Sequence, residues 1–207
     1  MSTARLTLVR AAERLVAERG LHGVRASEVV KAAGHRNNSA INYHFGSWNG
    51  LLDAVWQLHA QPVNEARTVL VDSARTRGDY GLRTMVEAYL RPLTADLRRY
   101  HPSYWARFNE QWLAGVALNF FTLQADAPEI RPGVDSVLVV NDLFRDMAAE
   151  LTHLPDAARS RRVALTARFV IGALAAWERE PDADGIPSLD ALEEELIGMA
   201  VALLEAP

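Results

Sequence analysis

A short segment near the N-terminus carries small polar side chains suited to hydrogen bonding with the edges of DNA bases. The spacing predicts a helix from about Asn38 to Phe45, in which Ile41 and Phe45 lie one turn apart and face the core. The rest of this helix presents short or planar groups without acidic charge: Ser39, Ala40, Asn42, Tyr43 and His44. Such groups fit a major groove about 12 Å wide, where an alanine can contact a thymine methyl. A surface helix whose polar side is only solvated is the alternative that the residue types leave open.

The elements that must position this helix are predicted from the residues on either side of it. A first helix from about Thr3 to Arg19 ends at Gly20. Ser27 is the predicted cap of a short second helix, and Ser47 that of a long fourth helix. Two short helices joined by a tight polar turn, and backed by a longer first helix, form a helix-turn-helix unit.

The net charge of −4 conceals an uneven distribution along the chain. Residues 1–47 hold seven basic and three acidic residues, hence a net charge of +4. The remainder holds 15 basic and 23 acidic residues, hence −8. We call residues 1–47 the head and the remaining residues the body. A positively charged head is attracted to phosphate, whereas a negatively charged body is repelled by it, which favours a DNA-binding N-terminus.

In the order of its residues, segment 8–52 resembles the DNA-binding domain of the TetR (tetracycline-repressor-like) family. The matching segments are Ala11–Gly20, Val29–Gly34, Tyr43–Ser47 and the pair Leu51-Leu52. The resemblance implies a transcription regulator that binds double-stranded DNA as a homodimer, on a near-palindromic operator. It further implies a repressor that a small apolar or aromatic effector releases from this operator.

The resemblance also implies which side chains contact DNA. One set is implied to contact bases or the groove: Asn38, Ser39, Ala40, Asn42 and Tyr43. A second set is implied to contact phosphates: Ser27, Tyr43, His44 and the backbone around Ser47. On chemical grounds we add three residues beside the helix starts, where phosphates dock: Arg25, Arg36 and Asn37.

Trp48 stands where the family usually has a lysine near a phosphate. Loss of that lysine removes about one counterion from the salt dependence of DNA binding. Trp48 either packs under the recognition helix or donates its indole N–H to a phosphate. The turn between Gly34 and Phe45 is also one residue longer than the usual family pattern.

The apolar pattern is helical throughout, so the predicted fold class is all-α. We expect a helix-turn-helix domain at residues 1–47 and a larger helical domain for effector binding and dimerisation at residues 48–207. The fourth helix begins at the head and runs into the body, so it is expected to couple the two. Aromatic and amide side chains are candidates for lining an effector cavity, although ordinary core is the alternative for each. These candidates are Tyr89, Trp105, Phe108, Trp112, Asn119, Phe120, Asn141 and Phe144.

Two helices near the C-terminus have the pattern of a dimer interface. Residues 161–177 are apolar or small on almost every side, and later leucines repeat at intervals of three and four. The candidate interface residues are Phe169, Leu174, Trp177, Leu189, Leu192, Leu196, Met199 and Leu203. Packing within one chain only is the alternative. The acidic run Glu193–Glu195 is predicted to be the solvated side of the last helix.

The remaining features argue against other functional classes. The chain has no cysteine, and its six histidines have no ligand at a suitable spacing, so no metal site, catalytic residue or cofactor is predicted. No nucleophile or nucleotide-binding motif is present, so we expect no enzymatic activity. With no apolar run long enough for a membrane span and no secretory signal, a cytoplasmic protein is expected. The alternative function is a helical small-molecule binding protein or enzyme that uses the second domain without specific DNA binding.

Overall fold

A computed structural model describes residues 1–37, 39–115, 118, 134–181 and 183–207, with the side chains of 134–139 excepted. Over these residues the chain is helical and has no strand, which confirms the predicted fold class. The helices are α1 (Thr3–Arg19), α2 (Ala26–Ala32), α3 (Ala40–Phe45), α4 (Trp48–Arg77), α5 (Leu82–Leu97), α6 (Trp105–Ala114), α7 (Val134–Glu150), α8 (Asp156–Arg179) and α9 (Leu189–Glu205). None of the described helices is long and apolar enough to cross a membrane.

The helices of the head begin and end at residues that satisfy their free backbone groups. The carboxylate of Glu28 accepts from the Arg25 N–H at 2.8 Å and caps α2, so the predicted cap at Ser27 is wrong. Ser47 caps α4 as predicted, because its Oγ accepts from the Gly50 N–H at 3.0 Å. Between α3 and α4, Gly46 adopts a left-handed conformation with φ 75°, which a residue with a Cβ adopts only with strain.

The head is a three-helix unit closed by the first turns of α4. Ile41 of α3 is 3% exposed and packs in an apolar core with Leu8, Val29 and Leu51. Burial of such an isoleucine contributes about 2 kcal/mol and fixes which side of α3 points inward. The start of α4 therefore completes the head, although the predicted domain boundary lies just before it.

The body is a bundle in which α5 packs against α4 and α9, while α8 packs against α6, α7 and α9. Head and body meet where α1 contacts both α4 and α6. Because α4 contacts α1 and α3 as well as α5 and α7, one continuous helix belongs to both parts. A displacement of α4 within the body is therefore expected to change the position of the head.

Candidate DNA-binding surface

The outer side of α3 is open to solvent. Tyr43 is 84% exposed, and Ser39 and Asn42 are exposed beside it. The ring of Tyr43 packs edge-on against that of His44, with centroids 4.8 Å apart. A phenol and two small polar groups thus project from a helix whose opposite side is anchored by Ile41, an arrangement that can enter a groove and donate to acceptors there.

α3 is also held in place by a cation from α1. The Arg5 guanidinium donates to the carbonyl oxygen of His44, and its Cζ lies 4.5 Å from the centroid of the Phe45 ring. The adjoining turn is held to the same helix, since Thr7 Oγ1 and His35 Nε2 lie 3.3 Å apart. Arg5 was not predicted as a functional residue, because its partners lie about 40 positions away and have no local spacing that reveals them.

The residues predicted to contact DNA fall into several environments. Arg25, Ser27, Arg36 and Ser47 are exposed, and His44 is half-buried. Asn37 is exposed as well, but its Oδ1 accepts from the Ser39 N–H at 2.9 Å and so shapes the turn before α3. Asn38 lies outside the described residues.

Ala40 and Trp48 differ from the other candidates. The side chain of Ala40 is only 7% exposed and belongs to the apolar core, so it is not available to a thymine methyl in this conformation. Trp48 is half-buried and packs against the same core. α3 begins at Ala40, two residues later than predicted, which places this alanine in its first turn and against the core.

The predicted effector residues form two separate buried clusters. In one, Tyr89 of α5 meets Phe144 of α7 with ring centroids 5.1 Å apart, and Asn141 is buried one turn before Phe144. In the other, Trp105 stacks on Phe108 at 5.8 Å, and Trp112 lies nearby, 5.9 Å from Trp56. Asn119 and Phe120 lie outside the described residues.

The predicted interface residues divide between the subunit interior and its surface. Leu174 of α8 is 1% exposed, and Leu189 and Leu196 of α9 are 7% and 2% exposed, because α9 packs against α5 and α8 of the same chain. They are therefore unavailable to a second subunit. Others remain wholly or partly accessible: Phe169, Trp177, Leu192, Met199 and Leu203.

A buried ionic network joins the head to the body and was not predicted from the sequence. His59 of α4 is fully buried, with Nε2 3.1 Å from a Glu13 carboxylate oxygen and Nδ1 2.5 Å from Asp96. Arg10 donates to the second oxygen of Glu13 at 2.7 Å. The His59 ring stacks on Trp105 at 4.5 Å with an interplanar angle of 10°. Helices α4, α5 and α6 of the body thereby contribute to the contact with α1. Among the described residues, no group of three or more potential ligands could hold a metal ion.

In this network the positive and negative groups each stabilise the charged form of the other. Burial alone would lower the pKa of His59, but hydrogen bonds to Asp96 and Glu13 outweigh it and raise the pKa. Burial would likewise raise the pKa of Glu13, but the hydrogen bond and charge of His59, followed by those of Arg10, lower it. The network is therefore an imidazolium between two carboxylates over an intermediate range of pH.

Residues 8–55 match the family model described as "Bacterial regulatory proteins, tetR family". Among solved structures, the chain is similar to a tetR family transcription regulator from Shewanella sp. PV-4, with 17% identity and a TM-score of 0.54 over 98% of this chain and 96% of that one. It is also similar to the TetR family regulator PfmR from Thermus thermophilus, with 19% identity and a TM-score of 0.53 over 95% and 96%. These structures share the fold along nearly the whole chain. No curated protein matches the sequence.

Proposed function

We propose that this chain, whose residues 8–55 match the tetR family model, is a regulator of that family, and that it acts as a dimeric repressor which a small-molecule effector releases from a near-palindromic operator. One observation carries the DNA-binding part of this proposal. The outer side of α3 combines an 84% exposed tyrosine with Asn42 and Ser39, while the inner side is locked by Ile41. A small-molecule binding protein has no need of a rigid helix that presents such groups to solvent.

A second copy of this chain is the partner proposed for the C-terminal face, which consists of Leu165, Phe169, Leu192, Met199 and Leu203. Leu165, Met199 and Leu203 are 47%, 51% and 40% exposed although they are large and apolar. Arg162 of α8 donates to the Leu203 carbonyl at 2.9 Å, so the end of α9 lies beside the start of α8. Two such helix pairs would form a four-helix interface.

The double substitution Met199→Glu, Leu203→Glu is expected to convert the dimer into a monomer, because it would bury four carboxylates at a two-fold interface. Analytical ultracentrifugation over a range of micromolar concentrations measures this. Val69→Glu is the control, since Val69 is 64% exposed on α4 and outside the C-terminal face. A double variant that remains a dimer would place the interface elsewhere on the surface.

Release by an effector would depend on α4. In the proposed mechanism the effector binds best to a body in which α4 is displaced, and the heads then no longer fit two successive grooves. The contacts of α4 with both α1 and α7, together with the Glu13–His59 bond, support this route. Affinity for DNA falls by the ratio of effector affinities for the two conformations.

Selection of bound sequences from random double-stranded DNA tests the proposal. We expect enrichment of an inverted repeat whose half-sites are about 34–36 Å apart, or a multiple of this distance. Affinity should fall as salt is raised, with a log–log slope of about −0.9 for each phosphate contacted. If the intact dimer enriches no sequence and binds DNA without a salt dependence of this kind, the alternative of a small-molecule binding protein is favoured.

A further inference from the structure

An arginine is buried in the body, and no carboxylate of the described residues pairs with it. Arg67 of α4 is 3% exposed. It donates to Asn64 Oδ1, and to the carbonyl oxygen of Tyr89 at 3.3 Å. Among the described residues, its Nε has no hydrogen-bond partner, and no carboxylate lies within 4.0 Å of its guanidinium. The two groups that accept its hydrogen bonds, an amide and a backbone carbonyl, are neutral.

This arrangement differs from that of two other partly buried arginines. Arg10 and Arg107 each have a buried carboxylate partner, Glu13 at 2.7 Å and Glu178 at 3.2 Å. Burial lowers the pKa of Arg67 to about 10, so its side chain still carries a charge at neutral pH. A buried charge without a counter-ion is among the costliest features a fold can contain, and it persists where it serves a purpose.

The surroundings of Arg67 match the needs of an amphipathic ligand. Its Cζ lies 5.8 Å from the centroid of the Tyr89 ring, which in turn packs against Phe144. Asn141, on the same helix as Phe144, is buried with an Oδ1 that accepts from none of the described residues. Helices α4, α5 and α7 thus contribute aromatic surface, a buried amide and a cation whose Nε–H has no partner among the described residues.

We infer that the effector of the proposed release mechanism is a small anion, a carboxylate on an apolar or aromatic body, and that its charge pairs with Arg67. The inference rests on the proposed function for the consequence of binding, but not for the binding itself. A guanidinium holds a carboxylate through two parallel N–H bonds, and Nε–H is one of the two donors on the side that forms them. The aromatic pair Tyr89–Phe144 would then contact the apolar part of the ligand.

A purely structural role for Arg67 is the competing explanation. Pro92 lies inside α5 and lacks an N–H, so the carbonyl of Ala88 loses its helical partner. Arg67 donates to the neighbouring carbonyl, that of Tyr89, and stabilises this turn. Such a role needs a donor but not a charge, so Arg67→Gln preserves much of it, and Arg67→Lys restores the charge.

The test compares anions with their neutral amides at matched ionic strength. Acetate, benzoate, phenylacetate and octanoate, each against its amide, are titrated into the wild type, Arg67→Gln and Arg67→Lys by calorimetry and thermal shift. We expect at least one acid to bind the wild type about 10- to 100-fold more tightly than its amide. Arg67→Gln should abolish this preference, Arg67→Lys should retain part of it, and the exposed variant Arg77→Gln should retain all of it.

The possible outcomes distinguish failure of the anion site at Arg67 from failure of the proposed release mechanism. If no acid is preferred over its amide by the wild type, or if Arg67→Gln keeps the preference, the assignment of Arg67 is wrong. If the acid binds through Arg67 but leaves the operator complex intact, the anion site stands and the release mechanism fails. If it releases DNA equally from the wild type and Arg67→Gln, the release mechanism stands and Arg67 is not its anion partner.

Discussion

Operator affinity is expected to fall at least about 30-fold when Asn42 and Tyr43 are both replaced by alanine, because each lost contact is worth about 1–3 kcal/mol. Both side chains are exposed on α3, so their truncation removes no packing from the core. The free energy of unfolding should therefore change by no more than about 0.5 kcal/mol. Fluorescence anisotropy with the selected operator, at one fixed salt concentration, measures the affinity.

The control for this experiment removes equally exposed polar groups at a distance from the head. Gln61→Ala with Thr76→Ala, both on the outside of α4, should leave operator affinity unchanged. Unaltered affinity in the Asn42→Ala, Tyr43→Ala variant would mean that α3 is not the recognition helix. In that case the exposed polar side of α3 is only solvated, as the residue types alone allow.

The arrangement of the head was predictable because its determinants are local. Ile41 lies inward as its spacing with Phe45 predicts, and Gly20, Gly46 and Ser47 mark helix ends through their own backbone and side-chain preferences. The error at Ala40 has a local cause too. Asn37 accepts from the N–H of Ser39 in the turn before the helix, so Ala40 is the first residue of α3 and not the third of a helix that begins at Asn38.

The C-terminal helices show what an apolar repeat in one helix does not predict. The repeat from Leu189 to Leu203 identifies an apolar seam but not the helix that covers it. The structure assigns Leu189 and Leu196 to the interior of the subunit, because α9 packs there on α5 and α8. Glu193 was predicted to be solvated, yet it is 7% exposed and accepts from Arg91 at 2.7 Å. A helical wheel shows the positions on one helix only, so it cannot predict an ion pair with a residue of another helix.

The network around His59 shows the same limit at the junction of head and body. Histidine spacing gave no indication of partners, because Glu13 and Asp96 are 46 and 37 positions away along the chain and on other helices. Only the packing of α1, α4 and α5 brings them together. The sequence predicts that α4 links head to body, whereas the residues that make the link are known only from the structure.

His59→Gln is expected to destabilise the protein by about 3 kcal/mol or more. The variant leaves Glu13 and Asp96 buried without the imidazolium between them, and breaking a buried ion pair by removing one partner costs about 3–5 kcal/mol. Arg10 still neutralises part of the Glu13 charge, which places the expected cost at the lower end of that range. Urea denaturation measures the free energy of unfolding, and His22→Gln, at an exposed histidine, should change it by no more than about 0.5 kcal/mol.

The same variant has a second signature, which a loss of packing alone does not produce. The folded pKa of His59 is raised above its ordinary value of 6.5, so its contribution to stability is complete below pH 6.5 and is lost as pH rises through the folded pKa. Glu13 acts in the opposite direction, since its lowered pKa gives a contribution that is complete above pH 4.5 and lost as pH falls through the folded value. The network is therefore strongest between these two limits.

The difference in stability between the wild type and His59→Gln should accordingly shrink as pH rises above 6.5 and through the folded pKa of His59. Arg10 does not reverse this trend, because the charge and hydrogen bond of Glu13 raise its pKa in spite of burial, and the Tyr100 ring contacts the imidazole edge-on at 5.3 Å. Because Glu13 belongs to the head while His59 and Asp96 belong to the body, weakening this link should also loosen the orientation of the recognition helices. A difference that stays constant over this range would mean that His59 is neutral in the folded protein, and that head and body are joined by packing rather than by charge.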